Sequence, residues 1–450
     1  MSQKEWLPNG WVRAKVGDYL FLKNGFAFKS NSYVPPNDVT YPVIRISDID
    51  GMYASDADAI HVSDPVVGFE VCKGDLLIAM SGATTGKIGV YKGKEPAFQN
   101  QRVGNLKLRS DKLGSTKFRN YLIASLSENI LKEAYGGAQP NISGKAIENM
   151  EIQLPPLAEQ KVIADKLDIL LAQVESIKAR LERIPEILKQ FRQSVLTAAV
   201  SGKLTGECEI HDWQSMTIGE VAEVRTGKTP SRTESKYWDN GIIPWLTSSV
   251  TGSDYCFNAD EFISEIASKE CNLKPFPVGT LLLAMYGEGK TRGQVTELKL
   301  EATCNQACAA IIPNNEIALT SYVKLKLQEN YEVIRLAASG GNQPNLNLNK
   351  VREIGIQIPT IEVQAKIVHE VDALLTISEN INQQVLSALD RVNNLTQSIL
   401  AKAFHGELTA DWREPNLELI SGENSAEALL ERIKAERSAT PVTKRGRGKA

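Results

Sequence analysis

One stretch of this chain is written twice, and that repeat restricts its architecture more than any other feature of the sequence. Gly136-Gly137-Ala138-Gln139-Pro140-Asn141 returns as Gly340-Gly341-Asn342-Gln343-Pro344-Asn345. Ile152-Gln153-Leu154-Pro155 returns as Ile356-Gln357-Ile358-Pro359, Gln160 as Gln364, and Asp168, Leu170 and Leu171 as Asp372, Leu374 and Leu375. Gln193-Ser194-Val195-Leu196 matches Gln397-Ser398-Ile399-Leu400, and Gly202, Leu204 and Thr205 match Gly406, Leu408 and Thr409. About 22 of roughly 70 aligned positions are identical. A period near 200 residues is too long for a solenoid, so each unit is expected to be a domain plus a connector.

The connectors are legible. Ile163, Leu167, Leu170, Val174, Ile177, Leu181, Ile184, Leu188, Phe191 and Val195 alternate in steps of four and three. That is a heptad seam, the pattern of helices packed along a partner helix. The second copy carries Ile367, Val371, Leu374, Ile381, Val385, Val392, Leu395 and Ile399, weakened by Ser378 and Ala388. Pro155 and Pro156 suit a first helical turn, and Gly202 and Gly406 sit where a helix would stop. Pro185 is expected to kink the first helix; Leu389 stands in its place in the second.

The segments ahead of the connectors read as short strands and turns. Tyr41-Pro42-Val43-Ile44-Arg45-Ile46 and Gly74–Met80 have partners in Ile243-Pro244-Trp245-Leu246 and Gly279–Met285, and Asn100-Gln101 corresponds to Asn305-Gln306. Otherwise these segments diverge while their connectors agree, which suggests a duplicated scaffold bearing different working surfaces. Leu204-Thr205 precedes Asp212-Trp213 and Leu408-Thr409 precedes Asp411-Trp412, while the chain opens on Asn9-Gly10-Trp11. The C-terminal segment thus reads like the lead-in to another domain. The expected fold is α+β: two globular domains with mainly β cores, separated by two long antiparallel helices forming a coiled coil, as a pseudo-two-fold internal repeat. The expected divisions are 1–155, a central connector 156–205, 206–359, a distal connector 360–409, and a C-terminal segment 410–450 with a basic disordered tail, Lys444–Lys449.

Composition narrows the function by exclusion. The chain is 42% hydrophobic and 23% charged, ordinary for a folded soluble protein. No apolar stretch approaches the ~20 residues of a membrane span. The opening Ser2-Gln3-Lys4-Glu5 has no apolar signal core, and six scattered cysteines suit reduced thiols, so a cytoplasmic location is expected. A net charge of −3 gives no whole-chain footprint for nucleic acid, though such footprints are local.

Catalytic patterns fail one by one. Gly82–Ile88 has one residue too few between its glycines for a phosphate loop, and Ile88 replaces the metal-holding hydroxyl; Gly287–Thr291 fails similarly. Cys304 and Cys308 lack a second ligand pair for zinc. His61, His211, His369 and His405 are isolated. Glu159-Gln160-Lys161 faintly resembles a nuclease Glu-x-Lys, but it opens a helix, where an acidic residue suits the macrodipole. Neither a dinucleotide fingerprint nor a methyltransferase catalytic motif is present. No catalytic residue, cofactor or metal is expected.

The distal connector and tail carry a resemblance. Arg391–Phe404 and Leu419-Ile420-Ser421-Gly422-Glu423-Asn424-Ser425, together with Pro155–Lys161 through Val195-Leu196, resemble the specificity subunits of type I restriction–modification systems, in their family-A branch of enteric bacteria. These segments cover about a quarter of the chain. The recognition domains are similar to the family in layout, and Tyr237-Trp238 and Ile243-Pro244-Trp245 match a pattern common in such domains. The resemblance implies that one chain binds one double-stranded DNA and that each domain reads half of a split target. It implies two modification subunits, which carry S-adenosylmethionine and methylate adenine, and two ATP-driven restriction subunits that translocate and cut DNA. It implies no membrane partner.

Base contacts specify and phosphate contacts position, so the candidates are basic or amide residues in loops between strands. In the first domain these are Lys29, Arg45, Lys87, Gln101 and Arg102; in the second, Lys228, Arg232, Lys290, Arg292 and Gln306. Arginine can pair with guanine bidentately and amides with adenine. Gln139-Pro140-Asn141 and Gln343-Pro344-Asn345 read as turns into the connectors. Two other readings stay open at this level: a coiled-coil scaffold that binds no DNA, which predicts no basic groove, and a hydrolase, which predicts a cleft of converging carboxylates or histidines.

Overall fold

The computed structural model describes residues 7–135, 140–204, 213–286, 291–331, 333–334 and 346–439. The chain divides into two compact units, Met1–Arg180 with Leu389–Ala450, and Leu181–Ala388. The division falls inside both long helices, so each unit holds one end of each.

Those helices are Leu157–Val200 and Ile361–Phe404, 44 residues apiece, with limits at repeat-equivalent positions. Pro155 and Pro156 stand just outside the first one, and the Pro156 carbonyl accepts the Gln160 N–H (2.9 Å). The proline pair therefore sets the cap and does not supply the first turn. The first helix runs on through Pro185. Both end on a left-handed glycine, Gly202 (φ 71°) and Gly406 (φ 79°). At the second end, the Gly406 N–H reaches the Ala403 carbonyl and the Glu407 N–H that of Lys402, closing the last turn.

Within each unit the helix segments pack antiparallel. In the first, Ile163, Ala164 and Leu167 share a core with Leu400 and Ala403; in the second, Val195, Leu196 and Ala199 share one with Ile367 and Val371. The seam departs from the heptad reading in its details. Val174, Val385 and Val392 are buried, but Ile177, Phe191, Ile381 and Leu395 are 46, 38, 39 and 43% exposed. A straight helix drifts ~20° per heptad, so a strict three–four row walks off the contact line. In the second helix the half-buried positions include Ser378 and Asn382.

Each unit carries a five-stranded sheet of one design. In the first, the order is Leu20–Asn24, Val103–Leu108, Leu76–Ala79, Ile88–Tyr91, Tyr53–Ala54. In the second it is Ala222–Thr226, Cys308–Pro313, Leu281–Ala284, Val295–Leu298, Tyr255–Cys256. The expected central runs, Leu76–Ala79 and Leu281–Ala284, are buried at all positions, as strands covered on both faces must be. A further sheet contains Tyr41–Ile44 parallel to Ala97–Gln99 in the first unit, and Ile243–Leu246 parallel to Thr303–Cys304 in the second.

A two-stranded ribbon joins sheet domain to helix in both: Val12–Lys15 with Glu151–Leu154, and Gln214–Thr217 with Gly355–Ile358. Immediately after it comes a buried amide. Gln160 accepts from the Tyr19 hydroxyl (2.7 Å) and donates to Pro155 O (3.0 Å). Gln364 accepts from Leu319 N (2.8 Å) and donates to Pro359 O (2.9 Å) and Ile317 O (3.0 Å). The repeated glutamine thus satisfies the backbone where a helix leaves a sheet.

The C-terminal segment belongs to the first unit. Leu429, Leu430 and Ile433 of the helix Ala426–Ala439 enter the core that also contains Trp11. The tail Lys444–Lys449 lies outside the described residues.

Candidate nucleic-acid interface

In the first unit, four loops meet where the strands of both sheets end. Asn100 N–H donates to Ile44 O (3.0 Å), Phe26 N–H to Gln99 O (3.0 Å) and Met80 N–H to Arg102 O (2.9 Å). Ala79 N–H donates to Lys87 O (2.9 Å), and the Thr84 hydroxyl to Ile46 O (3.3 Å). The segments bearing Lys29, Arg45, Lys87, Gln101 and Arg102 are therefore stitched into one edge by main-chain bonds. Gly25 lets two of them cross closely, since a Cβ there would overlap the Asn100 carbonyl oxygen.

Lys29, Lys87, Gln101 and Arg102 are exposed on that edge. Arg45 is half-buried and committed internally: its N–H and Nε face Asp48 Oδ2 (2.8 and 3.5 Å), and Nη2 donates to Asp58 O (3.2 Å). The Tyr53 and Met52 N–H groups hold the Asp50 carboxyl below the usual carboxylate range, with a smaller contribution from the Lys87 charge.

The second unit repeats the frame with different side chains. Asn305 N–H donates to Leu246 O (2.9 Å) and Met285 N–H to Ala307 O (2.8 Å). Asn100 and Asn305 even share a side-chain task, their Oδ1 atoms accepting from Arg102 N (3.3 Å) and Ala307 N (3.0 Å). Gly227 occupies the place of Gly25, and a Cβ there would overlap the Cys304 carbonyl oxygen. Lys228 and Gln306 are exposed, and the Thr229 hydroxyl donates to Gln306 Oε1 (2.7 Å), tying the two loops together. Arg232 is exposed on the same loop as Lys228; Arg292 is half-buried before the strand Val295–Leu298. Lys290 lies outside the described residues.

The patterns excluded from the sequence have structural occupations. The Thr85 hydroxyl of the Gly82–Lys87 loop donates to Gly82 O (2.6 Å) and Pro140 O (3.1 Å). Gly287–Lys290 lies outside the described residues. Cys304 and Cys308 are fully buried. Among the described residues no group of three or more His, Cys, Asp and Glu side chains is placed to hold a metal ion, and no helix is long and apolar enough to cross a membrane. Glu159 is fully buried, accepting from Trp11 Nε1 (2.7 Å), Thr409 Oγ1 (2.6 Å) and Arg413 Nη1 (2.6 Å).

Sequence reasoning missed what lies beneath the loops. Under Gly25–Lys29, Phe26 packs on Phe28 and Phe69 with centroids 5.1 and 5.3 Å apart, and the Tyr33 hydroxyl donates to Phe28 O (3.3 Å). Under Lys228–Arg232 lie Trp238 and Trp245. The advance signal was the match of Tyr237-Trp238 and Ile243-Pro244-Trp245 to a pattern of such domains, which does not name the loop these indoles support.

Two sheet domains of one design, each with a loop edge dressed differently and joined to long antiparallel helices, define a tandem recognition protein. The chain matches the family described as "Type I restriction modification DNA specificity domain" over residues 8–186 and 210–389, and it belongs to that family. It is 35% identical to the EcoBI specificity subunit of Escherichia coli over 465 residues, covering 98% of this chain and 96% of that one. It is 34% identical to the EcoKI specificity subunit of E. coli K12 over 469 residues, covering 99% of both. The fold is similar to the HsdS subunit of Thermoanaerobacter tengcongensis, with TM-score 0.63 and 17% identity, over 90% of this chain and 100% of that one. The chain is a DNA target-recognition subunit of the type I restriction–modification class.

Proposed function

We propose that this chain recognises a bipartite DNA target, one half through each sheet domain, and directs adenine methylation and restriction carried out by partner subunits. The recognition domains are residues 1–155 and 206–359, the connectors 156–205 and 360–409, and 410–450 is a C-terminal segment ending in a basic tail. Two modification subunits bring S-adenosylmethionine and two restriction subunits bring ATP-driven cleavage. This chain supplies recognition and no turnover, holds no cofactor, and works in the cytoplasm. Lys29, Lys87, Gln101 and Arg102 contact the first half-site; Lys228, Arg232, Lys290, Arg292 and Gln306 the second. Arg45 contributes by ordering its loop through Asp48.

One observation carries this reading. The two loop edges share a hydrogen-bond frame, with Asn100 on Ile44 and Asn305 on Leu246, yet present different side chains. A frame built twice with different outward residues suits two half-sites of different sequence. Phosphate-directed lysines alone would not need it, because phosphate contacts carry no sequence information.

The test exchanges residues 10–155 for the corresponding domain of another family member and sequences the methylome of cells carrying the chimera. One half of the methylated target is expected to change while the other is kept. Change in both halves, or in neither, refutes the assignment of one half-site to each domain.

A further inference from the structure

The segment after the strand Ala222–Thr226 is pinned from below by two indoles. Trp245 Nε1 donates to Lys228 O and Trp238 Nε1 to Ser231 O, both at 3.0 Å. Their rings meet edge to face, with centroids 5.2 Å apart at 89°. On this platform lies Arg232, its Cζ 3.8 Å from the Trp238 centroid and 5.0 Å from that of Trp245. Glu261 Oε2 holds Arg232 Nη1 at 2.5 Å, yet 53% of the arginine side chain remains exposed.

A free surface arginine loses much rotamer freedom when it binds. Here ring stacking and one carboxylate have removed that freedom beforehand, which is how a contact gains from preorganisation. Glu261 occupies one nitrogen of a planar fork that has five N–H donors. The remaining in-plane donors match two acceptors side by side, as guanine O6 and N7 present them in the major groove. A phosphate can take the same fork, but a mobile lysine also serves it as a point charge, so a plane fixed in advance gains most where the acceptor positions are set by a base. The first domain has no equivalent: between Gly25 and Tyr33 it carries Lys29 and no arginine.

Taking the second domain as the reader of one half-site, we propose that Arg232 reads a guanine there, with Trp238, Trp245 and Glu261 as its positioning residues. The whole chain, assembled with its modification subunits, is tested for binding and methylation on duplexes randomised across the second half-site. Arg232→Ala is expected to reduce discrimination for guanine at one fixed position by roughly 5- to 150-fold, the range a bidentate pair supplies. Arg232→Lys fails to restore it, because an ammonium lacks the fork. Glu261→Gln and Trp238→Leu weaken preference at that same position, and Trp238→Phe recovers it by restoring a ring. Unchanged selection of the first half-site in the same molecules shows that each variant is folded. The proposal is overturned if Arg232→Ala keeps its guanine preference, if all bases weaken evenly, or if the wild-type half-site contains no fixed guanine. A wild-type complex that selects no second half-site at all refutes the domain assignment instead.

Discussion

Replacing Glu159 removes the centre of a closed polar network in the first unit. Its carboxylate is fully buried and accepts from Trp11, Thr409 and Arg413, and Arg413 also donates to the Gly406 carbonyl. The network joins the start of the chain, the start of one long helix and the end of the other. Glu159→Ala leaves Arg413, only 7% exposed, as a buried charge without its counter-ion. Breaking such a pair costs about 3–5 kcal/mol. In a unit of about 200 residues or more, each kcal/mol lowers Tm by roughly 2–4 °C, so the first unit should melt roughly 10 °C earlier. The transition of the second unit should stay, because Val363 stands where Glu159 would be. Glu159→Met with Arg413→Met removes both charges, leaves the Trp11 and Thr409 donors and the Gly406 carbonyl unmatched, and should cost far less than Glu159→Met and Arg413→Met added. Scanning calorimetry of the four proteins gives the coupling, expected at about 2 kcal/mol or more. Losses below about 1 kcal/mol for Glu159→Ala, or simple additivity, would refute the claim that this network secures the unit.

Two further outcomes follow from the second unit and the loop edges. Burial holds the Lys324 ammonium below its usual 10.5, against the opposing pull of Asp254 and Glu297, and Nζ donates to Asp254 O at 2.5 Å. The folded state therefore sheds this proton at lower pH than the unfolded chain, and the unfolded chain binds more protons in the interval below 10.5. Stability of the unit should rise through that interval relative to Lys324→Met; a parallel pair of stability–pH curves from denaturant titration would show that the burial is without consequence. Gly227→Ala places a methyl against the Cys304 carbonyl oxygen. It should cost about 1–3 kcal/mol and shift the Lys228–Arg232 loop, so that methylome sequencing finds the second half-site degraded and the first intact; Gly25→Ala should do the reverse.

The helices were legible because their information is local and repeated. Apolar periodicity, proline ahead (Pro155 and Pro156 in the first, Pro359 alone in the second) and a glycine behind placed both, and the repeat fixed their equivalence. The contact line was less so. Ile177 and Ile381 fit the heptad by spacing and still face solvent, since the partner helix, and not the row alone, decides which side is covered. Glu159 was readable as a helix-opening acid. Its burial was not, because its partners Trp11, Thr409 and Arg413 lie 148, 250 and 254 residues away.

The loop edges explain why a recognition surface is harder to read than the scaffold beneath it. What the two domains share there is a set of main-chain bonds, such as Asn100 N–H to Ile44 O and Asn305 N–H to Leu246 O, which most residues can make. The sequence records that sharing only at Asn100-Gln101 and Asn305-Gln306 and through small residues such as Gly25 and Gly227. Everything facing outward is free to differ without disturbing the frame, so similarity between the halves falls where recognition begins. Arg45 illustrates the reverse ambiguity. It has the residue type and loop position of a DNA contact, yet Asp48 three residues on takes its N–H and Nε, and Asp58 O takes Nη2. Arg232 begins from the same residue type and is held by Trp238 and Glu261 with its fork still open. Charge and loop position nominate both arginines; the partners each one meets in the fold separate them.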